Sequence, residues 1–398
     1  MDAAARRVNV RRATVLGIST TEICGVRDHA TLLAEELRRR GTACEMRWLQ
    51  RRASGWRQER AEVAAYAREL RTALAAERPD VAILHYSVFS FSHRGLPLYV
   101  RVPAAALRAA GVPVVTVVHE AVYPWTIGGP RGKVWALSQR AALVEVVRSS
   151  SALLLTADFR ADWFASRPWL PRRPIAVAPV YSNLPPPSPG ARDAAEADTI
   201  GLFGFSYEGA DSATVLDALA DLRRGRRPQA RLRLLGAPGP DSPAARSWSE
   251  QARARGVDQA ISFSGMLAPQ QLSDVLARCA VLLFAGAGGP SSRKGSLAGS
   301  LASGSPVVAL DGPRTWRELR DGETIRIVSR NAVALAGALA ELLDDEATRE
   351  AIGARGRRFA EHEMGVGRTV EALEQLLGGA QDASAPRSLA SHSPRARS

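Results

Sequence analysis

Short apolar runs alternate with longer segments of helical period twice along this chain, and one proline-rich stretch separates the two series. The first series predicts strands at Thr14 to Ile18, Ala43 to Trp48, Val81 to Tyr86, Val114 to Val118, Ala152 to Thr156 and Ile175 to Ala178. Between them lie helical patterns at Asp28 to Arg40, Glu59 to Ala76, Leu98 to Ala110 and Val134 to Val147. Strands that are continuously apolar and separated by helices indicate a parallel sheet covered on both faces. The stretch "SNLPPPSPGARDAAEAD", Ser182 to Asp198, favours extended backbone and its middle lacks anchors for a core, so it reads as a linker. The alternation then restarts at Thr199 to Phe205 and continues through Arg231 to Leu235, Ile261 to Ser264, Val281 to Phe284, Val307 to Leu310 and Thr324 to Val328. A chain of 398 residues suits two such domains. The expected fold is α/β, two tandem Rossmann-like, doubly wound parallel-sheet domains whose strand ends line an interdomain cleft, the expected ligand site.

The expected divisions are a basic N-terminal extension over 1–12, a first domain over 13–181, the linker over 182–198, a second domain over 199–363 and a helix over 364–378. Residues 379–398 are expected to be a disordered tail, because Gly, Ala, Ser, Pro and Arg cannot build a core. The formal charge is +13, and Lys133 and Lys294 are the only lysines, so the basicity is almost wholly arginine. No zinc-ligand spacing, aromatic RNA-binding signature or basic repeat accompanies the charge; this argues against nucleic acid and leaves nucleotide phosphates or anionic lipid as acidic ligands. No apolar run approaches the roughly 18 to 20 residues of a membrane span, and Met1 to Arg12 has no apolar signal region, so a cytoplasmic protein is expected. Cys24, Cys44 and Cys279 leave one thiol unpaired in any disulfide scheme, in keeping with a reducing compartment.

Polar residues at the carboxyl ends of parallel strands are placed for ligand contact, which singles out His119 and Glu120 after "VPVVTVV" and His85 in "VAILHYS". In "STTEICGVRDHATLLAEEL", Gly25 permits close backbone approach and opens a helix whose amino end attracts anions, with Asp28 close by. In the second series, Gly204, Phe205 and Ser206 of "IGLFGFSYEG" and Gly236 of "LRLLGAPGP" end strands in turns that a ligand can approach. The same glycines also suit ordinary turns. The stretch "GGPSSRKGSLAGSLASGSPVVALDGP", Gly288 to Pro313, is less ordinary, because Arg293 and Lys294 stand at a helix entrance with no acidic residue. Cations there oppose the helix dipole at a cost of about 0.3 to 1 kcal/mol unless an anion sits between them. The free N–H groups of the first turn, Gly295 to Leu297, would add to the attraction for a diphosphate.

In their order, these elements resemble the GT-B glycosyltransferases, and within them family 4, over about residues 13 to 378. The likeness rests on "CGVRDHATLLAEEL", on "VVHE", and above all on "ISFSGMLAPQQLSDVLARCAVLLFAGAGGPSSRKGSLAGSLASGSPVVA". The resemblance implies a nucleotide-diphosphate-sugar donor held by the second domain, and a first domain holding an acceptor that is a glycan, lipid or small molecule. It further implies a terminal helix crossing back to the first domain and retaining, metal-independent transfer without a cofactor. By the same likeness His119 contacts the donor sugar as a catalytic group and Gly25 is the close-approach glycine, while Asp28, His85 and Glu120 are acceptor candidates. The family's two glutamates would fall at Ser291 and Gly299, and its Arg and Lys of the first turn are replaced by "GLFGFSYEG". Arg293 and Lys294 are therefore expected to supply the diphosphate contacts and so act as catalytic groups. Ser291, Ser292 and Ser296 are expected to substitute hydroxyls for carboxylates. The departures keep open a catalytically silent GT-B protein that binds a nucleotide sugar or a partner enzyme. Trp125, Arg131, Lys133, Trp135 and Arg140 surround a helix start that either packs by its apolar face or makes a peripheral membrane contact.

Overall fold

In the computed structural model, residues 10–204, 207, 209–236 and 239–384 are described. The first sheet contains β1 (Arg12–Ser19), β2 (Ala43–Gln50), β3 (Val81–Ser87), β4 (Val114–Glu120), β5 (Ala152–Leu155) and β6 (Ile175–Val177), in the order β2-β1-β3-β4-β5-β6. The second contains β7 (Glu196–Phe203), β8 (Arg231–Leu235), β9 (Ile261–Phe263), β10 (Cys279–Phe284), β11 (Val307–Leu310) and β12 (Arg326–Val328), in the order β12-β11-β10-β7-β8-β9. Every pairing is parallel. Both orders reverse direction beside the first strand of their domain, which opens a crevice at the carboxyl ends.

Helices α1 (Gly25–Arg39), α2 (Trp56–Glu77), α3 (Arg101–Ala110), α4 (Gly129–Ser149) and α5 (Asp158–Ala165) cover the first sheet. Helices α6 (Ser212–Arg224), α7 (Pro243–Arg253), α8 (Pro269–Arg278), α9 (Gly295–Ala302), α10 (Ala332–Asp344) and α11 (Glu346–Glu363) cover the second. The last helix, α12 (Val366–Ser384), returns to the first sheet, where Val370, Leu373, Leu376 and Leu377 join Ala13, Val15, Leu33 and Leu37 in one apolar cluster. This helix continues to Ser384, so residues 379–384, expected to be disordered, are helical. Its apolar stripe already anchors the preceding turns, and Ala and Gln carry the helical period onward. Residues 385–398, and 1–9 of the basic extension, lie outside the described residues.

The proline-rich crossover is tied along its length; it turns through a 3-10 helix at Arg192–Ala194 and passes into β7 at Glu196, so the end of the expected linker, up to Asp198, is already strand. Prolines remove backbone donors, so side-chain hydrogen bonds in both directions tie the crossover to the second domain. Ser273 donates to the Pro185 carbonyl at 2.6 Å, Ser188 donates its hydroxyl to Asp274 at 2.9 Å, and Arg192 donates to the Cys279 carbonyl at 2.9 Å. At its start, the Val180 N–H donates to the Ser292 carbonyl at 2.8 Å, which joins the crossover to the loop ahead of α9.

Candidate functional site

β4 begins with the β-branched, fully buried run Val114 to Val118 and ends in two half-buried polar residues, His119 and Glu120. β3 runs beside it with His85 opposite Val117, one step back from the edge. His85 is completely buried, and its Nδ1 lies 3.0 Å from His119 Nε2. The ring centroids are 5.2 Å apart and the planes differ by 21°. That separation is close to the nitrogen distance plus two ring radii, so the imidazoles share one nearly in-line hydrogen bond. The acceptor contact expected of His85 is thereby corrected: the residue lies a layer below the cleft and touches His119 instead. His29, on the core stripe of α1, completes a cluster of three, with its centroid 4.9 Å from that of His119. Its other face stacks on Tyr181, whose hydroxyl donates to the His29 carbonyl and lies 3.1 Å from His29 Nδ1.

Burial is the first cause that drives all three imidazoles to the neutral form. It holds His29 and His85 well below the usual histidine range, and His119 is pushed down to about 3 with Arg160 and Arg293 as further causes. The three offer nitrogens within 4.8 Å of one another. A tetrahedral zinc would draw such nitrogens to on the order of 3.3 Å and would want their lone pairs convergent. The in-line bond between His85 and His119 and the two nearby guanidiniums favour neutral hydrogen-bonded rings at this spot.

Around the His119 edge the charge is one-sided. Arg160, in the first turn of α5, donates to the Val118 carbonyl at 3.0 Å and the His119 carbonyl at 2.5 Å. From the second domain come Arg293, half-buried, and Lys294, the exposed residue that precedes α9. Arg314 lies with its guanidinium 5.2 Å from the centre of the Phe159 ring, spanning from the second domain to the first. Burial, then Arg293, lowers the Arg160 pKa to about 10, while Glu120 acts the other way. Arg293 is also lowered, first by burial and then by Arg314, and Lys294, though it reaches solvent, is lowered by partial burial and by Arg293 and Arg314, with Glu120 again the opposing charge. Among the described residues the Glu120 charge acts on Arg160, Arg293 and Lys294, which Arg314 further repels, an arrangement that an anion would relieve. Glu120 is itself held by the Ser87 hydroxyl at 2.8 Å.

The rest of the expected set divides between the cleft and the packing. Gly295 opens α9 beside Val180, with a built Cβ 3.8 Å from that side chain, and Ser296 is half-buried. Leu297 is corrected from a donor contact to core: its side chain is fully buried, and its N–H bonds the Lys294 carbonyl at 3.0 Å. Ser291 is buried, and Ser292 directs its hydroxyl at the Thr156 carbonyl of the first domain, 3.4 Å away. Gly236 has φ of 99°, and a Cβ there would meet the Gly204 carbonyl oxygen at 2.9 Å, so those two turns pack backbone to backbone. Phe205 and Ser206 lie outside the described residues. Gly25 faces open space, and Asp28 accepts from the Asn183 amide at 3.1 Å. Arg160, Arg314, His29 and Tyr181 are additions that only the structure brings to the site.

Gly299 explains one departure from the family. A Cβ there would lie 3.1 Å from the Phe203 ring, 3.4 Å from Leu184 and 3.5 Å from the Ser182 hydroxyl. Phe203 of β7 and the crossover together fill the space that a glutamate would need. Gly299→Glu is accordingly expected to destabilise the protein by about 1 to 3 kcal/mol through overpacking, read from urea unfolding. A variant as stable as the parent would show that the helix can shift to admit the carboxylate.

Comparison with solved structures finds this architecture over nearly the whole chain. HepE of Anabaena, in complex with UDP and glucose, superposes with a TM-score of 0.66 at 17% identity, over 93% of this chain and 100% of that one. Sucrose-phosphate synthase from Thermosynechococcus elongatus gives 0.66 at 15% identity, over 94% and 100%. A glycosyltransferase from Rickettsia africae gives 0.68 at 10% identity, over 94% and 100%. The fold is GT-B. Residues 199–345 match the family described as glycosyl transferases group 1, so the GT-B chain carries that family's signature in its second domain. Comparison with curated protein sequences gives no significant match.

Proposed function

We propose that this GT-B protein transfers a sugar from a nucleotide-diphosphate-sugar donor, with retention, to an acceptor held by the first domain. The observation that carries the reading is the gathering of Arg160, Arg293, Lys294 and Arg314, with Glu120 the carboxylate that acts on the first three among the described residues. In such chemistry the charge that develops is on the departing diphosphate. Fixed cations and the first N–H groups of α9 would stabilise it without reorganising. Arg293 and Lys294 would hold the diphosphate and act as catalytic groups. His119, kept neutral by its burial, would hydrogen-bond the sugar without adding a charge that competes for the phosphate. Glu120, at the same edge, and Asp28, in the first turn of α1, would contact the acceptor. UDP-sugars are the first donors to try, since HepE is seen with UDP and glucose.

A second reading is a silent binder of nucleotide sugars. It is favoured by one observation, that Ser291 and Gly299 occupy the places of the family's glutamates and that packing closes the second. Titration calorimetry with a panel of nucleotide sugars, followed by transfer of labelled sugar to a glycan and lipid panel, separates the two. Tight binding with transfer supports the enzyme, and tight binding without transfer or hydrolysis supports the silent binder. No binding of any nucleotide sugar removes both.

A further inference from the structure

We propose that the loop from Ala121 to Gly128 and the outer face of α4 dock this protein on an anionic lipid surface. Four large apolar side chains stand in water there: Trp125 is 47% exposed, Ile127 51%, Val134 57% and Leu137 63%. On α4, Ala136, Gln139, Ala142, Leu143 and Val146 face the core. At 100° per residue, Val134, Leu137 and the exposed Ala141 lie on the opposite side, where a water-facing helix carries polar residues. The loop folds onto this helix, because Arg140 donates to the Tyr123 carbonyl at 3.4 Å and its guanidinium covers the Trp125 ring at 5.1 Å. Loop and helix therefore present one surface.

Its charge selects the occupant. From Ala121 to Val144 there is no acidic residue, while Arg131, Lys133 and Arg140 flank the apolar tips. The first acid is Glu145, already paired with Arg108 and Arg148 at 3.4 Å each. A second copy of the chain would bring the same three cations against these, which repel. Apolar tips ringed by tryptophan, arginine and lysine instead match a bilayer edge, where the tips enter the acyl boundary and the cations meet headgroup phosphates. Trp125 is five residues beyond Glu120, so at most about 17 Å of chain separates this surface from the cleft. Docking does not depend on sugar transfer, although it would set the cleft beside a lipid layer.

Flotation of the full chain with vesicles tests this. Vesicles of phosphatidylcholine with phosphatidylglycerol should carry the protein, those of phosphatidylcholine alone should not, and high salt should weaken the binding. Arg131→Gln with Lys133→Gln should reduce partitioning roughly 25-fold, about fivefold for each charge near an anionic surface. Trp125→Ser with Leu137→Gln should abolish flotation while circular dichroism and nucleotide binding stay as in the parent. Four results would overturn the proposal: a parent protein left behind by anionic vesicles, equal flotation of the variants, a dimer that light scattering shows dissolving on these substitutions, or a stable acidic protein partner that needs the same residues. Loss of nucleotide binding in the parent would count against sugar transfer and leave the docking result intact.

Discussion

Replacing Arg293 and Lys294 together by alanine is expected to weaken binding of UDP, or of whichever nucleoside diphosphate the parent takes, by about 2 to 4 kcal/mol. Each charge-assisted hydrogen bond contributes about 1.5 to 3 kcal/mol, and the two share one ligand and are not additive. The fold should survive, because neither side chain is paired with a carboxylate within salt-bridge distance among the described residues. Their pKa values already lie below normal through burial and cationic neighbours, so their removal relieves repulsion among the cations. The double variant is therefore expected to melt at the same temperature as the parent or slightly above it. Calorimetry decides the matter: unchanged affinity in a folded variant would remove Arg293 and Lys294 from the diphosphate site. Arg160→Ala makes an informative contrast, since it also strips two carbonyl contacts at the end of β4 and should lower stability as well as affinity.

The second large effect is on acid stability. His29, His85 and His119 are buried neutral, with pKa values lowered in the folded chain by burial first. An unfolded histidine binds its proton near 6.5, so below that pH the unfolded state binds protons that the folded state refuses. Stability is thus full above about pH 6.5 and falls as the pH drops, down to about 3 for His119. Each group contributes about 1.4 kcal/mol per pH unit, so the three together remove about 4 kcal/mol per unit. Against a total of about 5 to 15 kcal/mol, unfolding is expected at about pH 5 for the low end of that range and at about pH 3 for the high end. Urea unfolding from pH 7 to 5 measures the slope directly. Substituting His29 by Asn and His85 by Leu should cut the slope to about a third. A parent whose stability is flat over this range would show that the cluster accepts protons in the folded state.

The architecture was legible because its signals are local. Each of the twelve strands overlaps a predicted apolar run, since a buried parallel strand announces itself within a few residues. Among the helices, α5 is the one that sequence pattern missed in the first domain; its eight residues, Asp158 to Ala165, are too few to show a period. With it went Arg160, whose value lies in reaching the end of β4, some forty residues earlier in the chain. Arg314 was equally silent, because its neighbour Phe159 belongs to the other domain. His29 looked like one more position on the core stripe of α1, and only the 152-residue contact with Tyr181 marks it as part of a cluster.

By itself, the sequence determined two parallel α/β units, a proline-rich crossover between them, and a helix entrance bearing two cations and no acid. These features are encoded in period, turn chemistry and charge within windows of a dozen residues or so. The tertiary structure alone decided what each candidate faces. It put His85 beneath His119 rather than in the cleft, filled the space beside Gly299 with Phe203, Leu184 and Ser182, and set Arg160 and Arg314 around Arg293. Burial and electrostatic neighbourhood depend on which strands become adjacent and how two domains meet, and those contacts join residues too far apart in the chain for any local pattern to record.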